Sequence, residues 1–162
     1  MIILGIDPGL ASTGFGAIEC KGKTPTLIKC GYIKTFTGNS IASRLFQIHN
    51  DMEKLIRTIK PGLVAIENVF SLVRYPKAGI LLGGVLGVIY VSAQQNNIAL
   101  NEISPKEVKN ALVGFGNANK GQVKNAVQKL LGVNDLKSFH AADALAVALT
   151  AFYRNSIRSK YT

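Results

Sequence analysis

The chain has 162 residues, enough for one domain with a sizeable core, and 48% of them are apolar, which excludes a disordered polymer. Nineteen Lys and Arg against nine Asp and Glu give a formal charge of +10 and a pI near 9.8. That balance points to a polyanionic partner, nucleic acid ahead of a membrane surface, because no basic amphipathic helix stands out. Cys20 and Cys30 are too few for a disulfide scaffold and lack zinc-site spacing, so they read as reduced intracellular thiols. The apolar N-terminal run is too short for a signal peptide and lacks its basic start.

The chain opens on Ile2, Ile3, Leu4 and Ile6, a buried strand that ends in Asp7 and is stopped by Pro8-Gly9. A carboxylate at the mouth of a central strand either bonds the turn that follows or is held by a cation. Thr13 to Cys20 alternates as a second strand, Lys21 to Pro25 is a turn, and Thr26 to Thr35 makes a third strand, so the chain begins as an antiparallel meander. Gly9, Gly14 and Gly16 leave the backbone beside Asp7 uncluttered, as a phosphate site requires and as ordinary turns also do. Ser40 to Lys60 carries Ile41, Leu45, Ile48, Met52, Leu55, Ile56 and Ile59 at helical spacing, with Pro61-Gly62 as its stop. His49 reads as a surface or boundary histidine of that helix, and Asp51 and Glu53 as solvated.

Leu63 to Glu67 repeats the opening pattern, a short apolar strand closed by a carboxylate. A strand that follows a long helix is expected to run parallel to an earlier one, which places Glu67 at the same end of the sheet as Asp7. Phe70, Arg74 and Tyr75 follow on a loop, where aromatics beside a basic residue stack on unpaired bases or simply cover the core. Ala78 to Ala93 carries no charge. It is short and glycine-rich for a membrane span, and Gly79, Gly83 and Gly87 recur every four residues as a smooth face. The expectation is a helix with one face on the sheet and the other on a second subunit, or one buried wholly within the chain.

Ile98 to Ile103 is a fifth strand, and Ser104-Pro105 with Glu107 opens a helix. Between Lys109 and Lys120 lies a loop with Gly114 and Gly116. It matches neither a P-loop nor G-x-G-x-x-G, and its charge and N–H groups suit a nucleic-acid backbone. Lys120 to Leu131 is a helix closed by Gly132. The last helix begins at Phe139, and its His140 and Asp143 share a face at the head of an otherwise apolar run. One domain is expected over residues 1–154, with a basic C-terminal tail over 155–162 whose order the sequence leaves open. The fold class is α/β, a five-stranded mixed sheet, meander first and parallel strands after, flanked by helices.

Asp7, Glu67, His140 and Asp143 are then three carboxylates and an imidazole supplied by two strand ends and a helix. Such oxygen-rich sets suit Mg²⁺, with Mn²⁺ as a substitute. Two ions ~4 Å apart flanking a phosphodiester would make this a hydrolase that leaves a 5′-phosphate and a 3′-hydroxyl.

Four stretches in order, Gly5-Ile-Asp7-Pro-Gly9, Ile66-Glu67-Asn-Val-Phe70, Val108-Lys109 through Gly114-Phe-Gly116 to Lys120-Gly-Gln-Val123, and His140-Ala-Ala-Asp143 through Leu149, resemble the RuvC family of crossover junction endodeoxyribonucleases. The resemblance implies a ribonuclease H-like fold, a cytoplasmic homodimer, and Mg²⁺-dependent symmetrical nicking of Holliday junctions in recombination and repair. It implies RuvA and RuvB as partners and no membrane. By the match, Asp7, Glu67, His140 and Asp143 form the metal-binding catalytic group. Phe70 would stack at the opened junction, and Lys109 and Lys120 would lie near the cleaved strand. Two features depart from the family. His140 stands where many members have aspartate, and residues 78–93 lack the lysine and arginine usual there. Rival readings are a non-catalytic junction-binding protein and a phosphate-binding domain of the actin and sugar-kinase type; tight binding without nicking would mark the first, ATP binding the second.

Overall fold

A computed structural model describes residues 1–22, 24–68 and 76–158, with side chains through residue 155. The elements are β1 (Ile2–Asp7), β2 (Ser12–Lys21), β3 (Thr24–Lys34), α1 (Ile41–Ile59), β4 (Leu63–Glu67), α2 (Pro76–Gln95), β5 (Ala99–Ile103), α3 (Pro105–Val113), α4 (Lys120–Leu131) and α5 (Phe139–Arg158). They form one five-stranded sheet in the order β3-β2-β1-β4-β5. The β1–β2 and β2–β3 pairs are antiparallel, and the β1–β4 and β4–β5 pairs are parallel, the mixed sheet expected from the sequence.

The two-residue period of a strand divides the core into two layers. Leu4, Ile6, Val64 and Ile66 face α1 and α2, where Ile48, Met52, Ile56 and Ile89 are buried against them. Ile3, Leu63 and Ala65 face the other way, toward Leu145, Val147 and Leu149 of α5 and Val108 and Val123 of α3 and α4. Asp7 and Glu67 fall on this second face by the same alternation, and the parallel register that pairs Ile6 with Ile66 sets them side by side at the sheet's end. Adjacent strands lie about 4.8 Å apart.

Sequence signals place the helix ends well. Ser40 caps α1 by accepting from the Ser43 N–H, and Lys60 closes it in the left-handed conformation. Ser104 caps α3, with Pro105 in its first turn. Asn119 opens α4 with a reciprocal capping box to Gln122. α5 continues through Arg158, so the tail assigned to 155–162 begins inside a helix.

Three expectations need correcting. His49 Nδ1 lies 3.0 Å from Ser92 Oγ, and both Glu53 oxygens accept from Asn96 Nδ2 at 3.0 and 3.2 Å. His49 is thus the boundary histidine expected, whereas Glu53, expected to be solvated, helps to stitch α1 to the end of α2. For α2 only the alternative of burial wholly within the chain is overturned: Val85, Ile89, Ser92 and Ala93 are enclosed, whereas Ile80 and Val91 are exposed, an inner face on the fold and an open outer face. A Cβ added at Gly83 or Gly87 would meet nothing, so part of the glycine stripe lies on the open face, while Gly84 meets Leu45 of α1. By length and composition alone α2 would cross a membrane, but its inner face is committed to this fold.

The third correction concerns the glycines near Asp7. A Cβ on Gly5 would strike the Ala144 carbonyl and sit 2.8 Å from the Ala148 nitrogen, and one on Gly14 or Gly16 would meet His140 or Leu145. Gly5, Gly14 and Gly16 thus make room for α5, not for a phosphate. Gly5→Ala, forced against helix backbone, is expected to cost about 2–3 kcal/mol of unfolding free energy, measurable by urea denaturation. An unchanged midpoint would show that α5 yields at no cost.

Candidate active site

Asp7 and Glu67 end neighbouring parallel strands and point to the α5 side, and α5 brings His140 and Asp143 over them. Gly14 pairs with Asp7 in the β1–β2 ladder, and its missing side chain lets the first turn of α5 settle there. His140 Nδ1 lies 2.9 Å from Asp7 Oδ2, so the tautomer with the proton on Nδ1 donates to that carboxylate and leaves Nε2 with its lone pair. On the next turn, Asp143 Oδ2 accepts from Lys120 Nζ at 3.2 Å. Asp7, Glu67, Lys109, Lys120 and Asp143 line one cavity of about 230 Å³, walled by Pro105, Val108, Val123 and Ala146. His140 stands at its rim, held to Asp7 and half-exposed.

The turn beyond Asp7 is pinned by polar groups the sequence reading passed over. Thr13 Oγ1 donates to the Gly9 carbonyl at 2.7 Å and Thr35 Oγ1 to the Leu10 carbonyl at 2.6 Å. Arg44 Nε then donates to Thr35 Oγ1 at 2.9 Å, tying the turn to α1. Thr13, at the start of β2, and Thr35, just past β3, are both buried, and a buried hydroxyl needs a partner.

Crowding of acids on an apolar wall shapes their charge. Burial raises the Glu67 carboxyl to about 7, with Asp7 and Asp143 adding to the effect and Lys120 and Lys109 opposing it. Asp7 is raised for the same reason, burial, against which the His140 hydrogen bond works. Lys120 is raised, chiefly by Asp143. Three carboxylates facing one cavity, one of them half-protonated near neutrality, form an oxygen donor set that a hard divalent cation would relieve. Among the described residues no three His, Cys, Asp or Glu side chains are drawn together closely enough to hold an ion as they stand. Asp7 is turned to His140 and Asp143 to Lys120. The donor chemistry fits a cation; closing around one requires those two acids to change partners.

The other predicted contacts divide. Gly114 is the left-handed C-cap of α3, with φ of 91° and its N–H spent on the Asn110 carbonyl, so that amide is not available to a DNA backbone. A Cβ on Gly116 would crowd the Lys106 stem. Phe70, Arg74 and Tyr75 lie outside the described residues.

The family model for "Crossover junction endodeoxyribonuclease RuvC" matches residues 3–151. The chain belongs to this family. RuvC of Heliobacterium modesticaldum is 40% identical over 150 residues, covering 92% of each chain, and that of Natranaerobius thermophilus is 37% identical over the same length and share. Thermus thermophilus RuvC solved in complex with Holliday junction substrate superposes with a TM-score of 0.90 at 33% identity, covering 96% of each chain. The yeast mitochondrial resolvase Ydc2, 15% identical with a TM-score of 0.66, shares the fold. The ribonuclease H-like expectation is borne out by the RuvC structures.

A carboxyl whose folded value lies above its unfolded one weakens the fold as it ionises, because the native state binds more protons in the window between. For Glu67 that window runs from 4.5 to about 7. The metal-free protein should lose stability as pH rises through it, and Glu67→Gln should remove that part of the fall and melt higher than the parent at about pH 8. Thermal melts of both proteins across the range decide it; parallel curves would mean that Glu67 is not held among its fellow acids.

Proposed function

We propose that this protein is a structure-selective DNA endonuclease that resolves four-way junctions in recombination and repair by paired, symmetrical nicks. The observation that carries the reading is the convergence of Asp7, Glu67 and Asp143 on one cavity that Lys109 and Lys120 also line. Membership of the RuvC family supports it, as does likeness to a relative solved on a Holliday junction.

Asp7, Glu67, His140 and Asp143 are the groups that would hold Mg²⁺, two ions per site, with Mn²⁺ as a substitute. When bound, the ions would activate the attacking water and stabilise the departing 3′ oxygen, leaving a 5′-phosphate. The remaining work belongs to the chain. Lys109 and Lys120 draw the scissile phosphate to the cavity against three nearby acids. His140 holds Asp7 by Nδ1 while the cavity is empty, and would release Asp7 Oδ2 when a cation enters. Glu67, neutral or ionised with nearly equal ease near neutrality, gives up its proton when positive charge enters. Val108, Val123 and Ala146 keep one wall dry, which strengthens each electrostatic contact inside. Phe70, Arg74 and Tyr75 are assigned to the unpaired bases at the crossover, and Gly116, with Lys109 and Lys120, to the DNA backbone.

Symmetrical nicking needs two sites facing two strands, which a two-fold dimer supplies. The open face of α2, with Ile80, Gly83, Gly87 and Val91, is the surface assigned to the second copy. Glycines there let helices approach closely, and residues 78–93 carry no charge. The assignment includes action in the cytoplasm, with RuvA and RuvB as partners that move the junction.

Asp7→Asn should bind a synthetic four-way junction as the parent does and fail to cut it in Mg²⁺, while the parent leaves a matched linear duplex intact. A variant that still nicks would remove Asp7 from the chemistry; binding without any metal-dependent nicking by the parent would favour a non-catalytic junction binder. Ile80→Glu should yield monomers by sedimentation. A variant still dimeric would move the interface elsewhere.

A further inference from the structure

The residue after Glu67 is held from two sides. The Asn68 N–H donates to the Ile103 carbonyl at 2.8 Å, and Asn68 Nδ2 donates to Glu102 Oε2 at 2.8 Å. The other oxygen of that carboxylate accepts from the Tyr90 hydroxyl at 2.9 Å. The Glu102 carbonyl accepts from Arg154 Nη1 of α5 at 3.1 Å. One residue of β5 thereby touches β4's exit, α2 and α5.

Strand alternation accounts for the arrangement. Glu102 pairs with Ile66 in the β4–β5 register, and Glu67 with Ile103. Ile66 packs on the α2 side and Ile103 on the α5 side. Glu102 therefore reaches toward Tyr90 on α2, and Asn68, one step past Glu67, meets it there. Pinning both the amide nitrogen and the side chain of Asn68 leaves little freedom at the peptide that follows Glu67. Tyr90, pushed up to about 12 mainly by burial and then by Glu102, remains a donor at any physiological pH. Glu102 itself is exposed, so each bond adds only ~1 kcal/mol to the fold.

We propose that Glu102 is a positioning residue for the junction-cutting reaction: its carboxylate clamps Asn68 to Tyr90 of α2 and so fixes how Glu67 faces the cavity. The inference rests on the reading that Glu67 helps to hold the cation. It also makes Asn68 a fixed starting point for the segment that carries Phe70. And it joins the helix assigned to subunit pairing to the strand that ends in a catalytic acid.

Glu102→Gln keeps the volume but turns an NH₂ toward one of two donors, so one clamp bond is lost. Mn²⁺ binding followed by electron paramagnetic resonance without DNA, single-turnover cleavage at saturating junction, and junction affinity without cleavage separate the outcomes. Expected for Glu102→Gln are Mn²⁺ binding weakened about fivefold and cleavage slowed about tenfold, as a small misplacement of a reacting group produces, with junction affinity within about twofold of the parent. Tyr90→Phe should show the same pattern at about a third of the size, and adding it to Glu102→Gln should change little further. Arg154→Ala loosens the same strand through the Glu102 carbonyl without touching the carboxylate, and should leave Mn²⁺ binding unchanged. Parental Mn²⁺ binding in Glu102→Gln overturns the proposal, as does an equal loss in Arg154→Ala, which would make Glu102 a mere strand anchor. Should Glu102→Gln fail to fold, an unaltered Tyr90→Phe overturns it instead. A parent that binds Mn²⁺ but cuts no junction would sink the proposed function while leaving the Mn²⁺ comparison to decide the role of Glu102.

Discussion

The backbone of α5 rests directly on β1 and β2, and the active site exists because it does. Gly5, Gly14 and Gly16 expose bare strand where a side chain would strike Ala144, His140 or Leu145. The helix answers with small residues, Ala141, Ala142, Ala144, Ala146 and Ala148, all buried. Ordinary packing would hold helix and sheet about 10 Å apart by their side chains. Removing those side chains lowers α5 until a histidine and an aspartate on its first turn and a half come within reach of carboxylates at two strand ends. The glycines and the acids are thus one device: the first sets the height, and the second uses it.

That closeness explains which parts of the site were legible in the sequence. Asp7 and Glu67 each end an apolar strand, and a helix between two strands implies a parallel pair, so their adjacency followed from local pattern and the rule for crossovers. His140 and Asp143 followed from helical spacing. The purpose of Gly14 and Gly16 did not, because a glycine that admits a phosphate and one that admits a helix carry the same letter, and only the neighbour tells them apart. Gly114 shows the same ambiguity resolved toward a helix cap. α2 was half legible: residues 78–93 showed an absence of charge, but which face met α1 depended on Gly84 finding Leu45.

Polar partnerships between distant elements were the least legible. His49 with Ser92, Glu53 with Asn96, and Glu102 with Asn68 and Tyr90 join residues separated by 43, 43, 34 and 12 positions. Nothing periodic marks such pairs, since each depends on two elements meeting at one height. They share a location nonetheless. His49 and Glu53 bind the end of α2 to α1, and Glu102 binds Tyr90, two residues before Ser92, to the exit of β4. The helix with the open apolar face is therefore fastened by hydrogen bonds at its C-terminal end, and its inner side by apolar packing.

The distribution of charge adds a last constraint. A protein with only nine acidic residues directs three of them into a single cavity, at a cost that burial makes plain in the raised Glu67. Two arrangements ease that cost in the resting state: the Asp7 carboxylate is turned to His140, and the Asp143 carboxylate to Lys120. Both partners sit on or beside α5 and α4, and neither is buried in the way the acids are. Lys120 is therefore a charge that can leave Asp143 without being stranded, since its side chain is largely in solvent. An aspartate in place of His140 would add a fourth negative group beside Asp7 and raise the repulsion further. With histidine there, the resting cavity is less acidic, and the imidazole that quiets Asp7 still offers Nε2 as a donor. The histidine thus lowers the electrostatic cost of an empty site while keeping a group able to take part when the site fills.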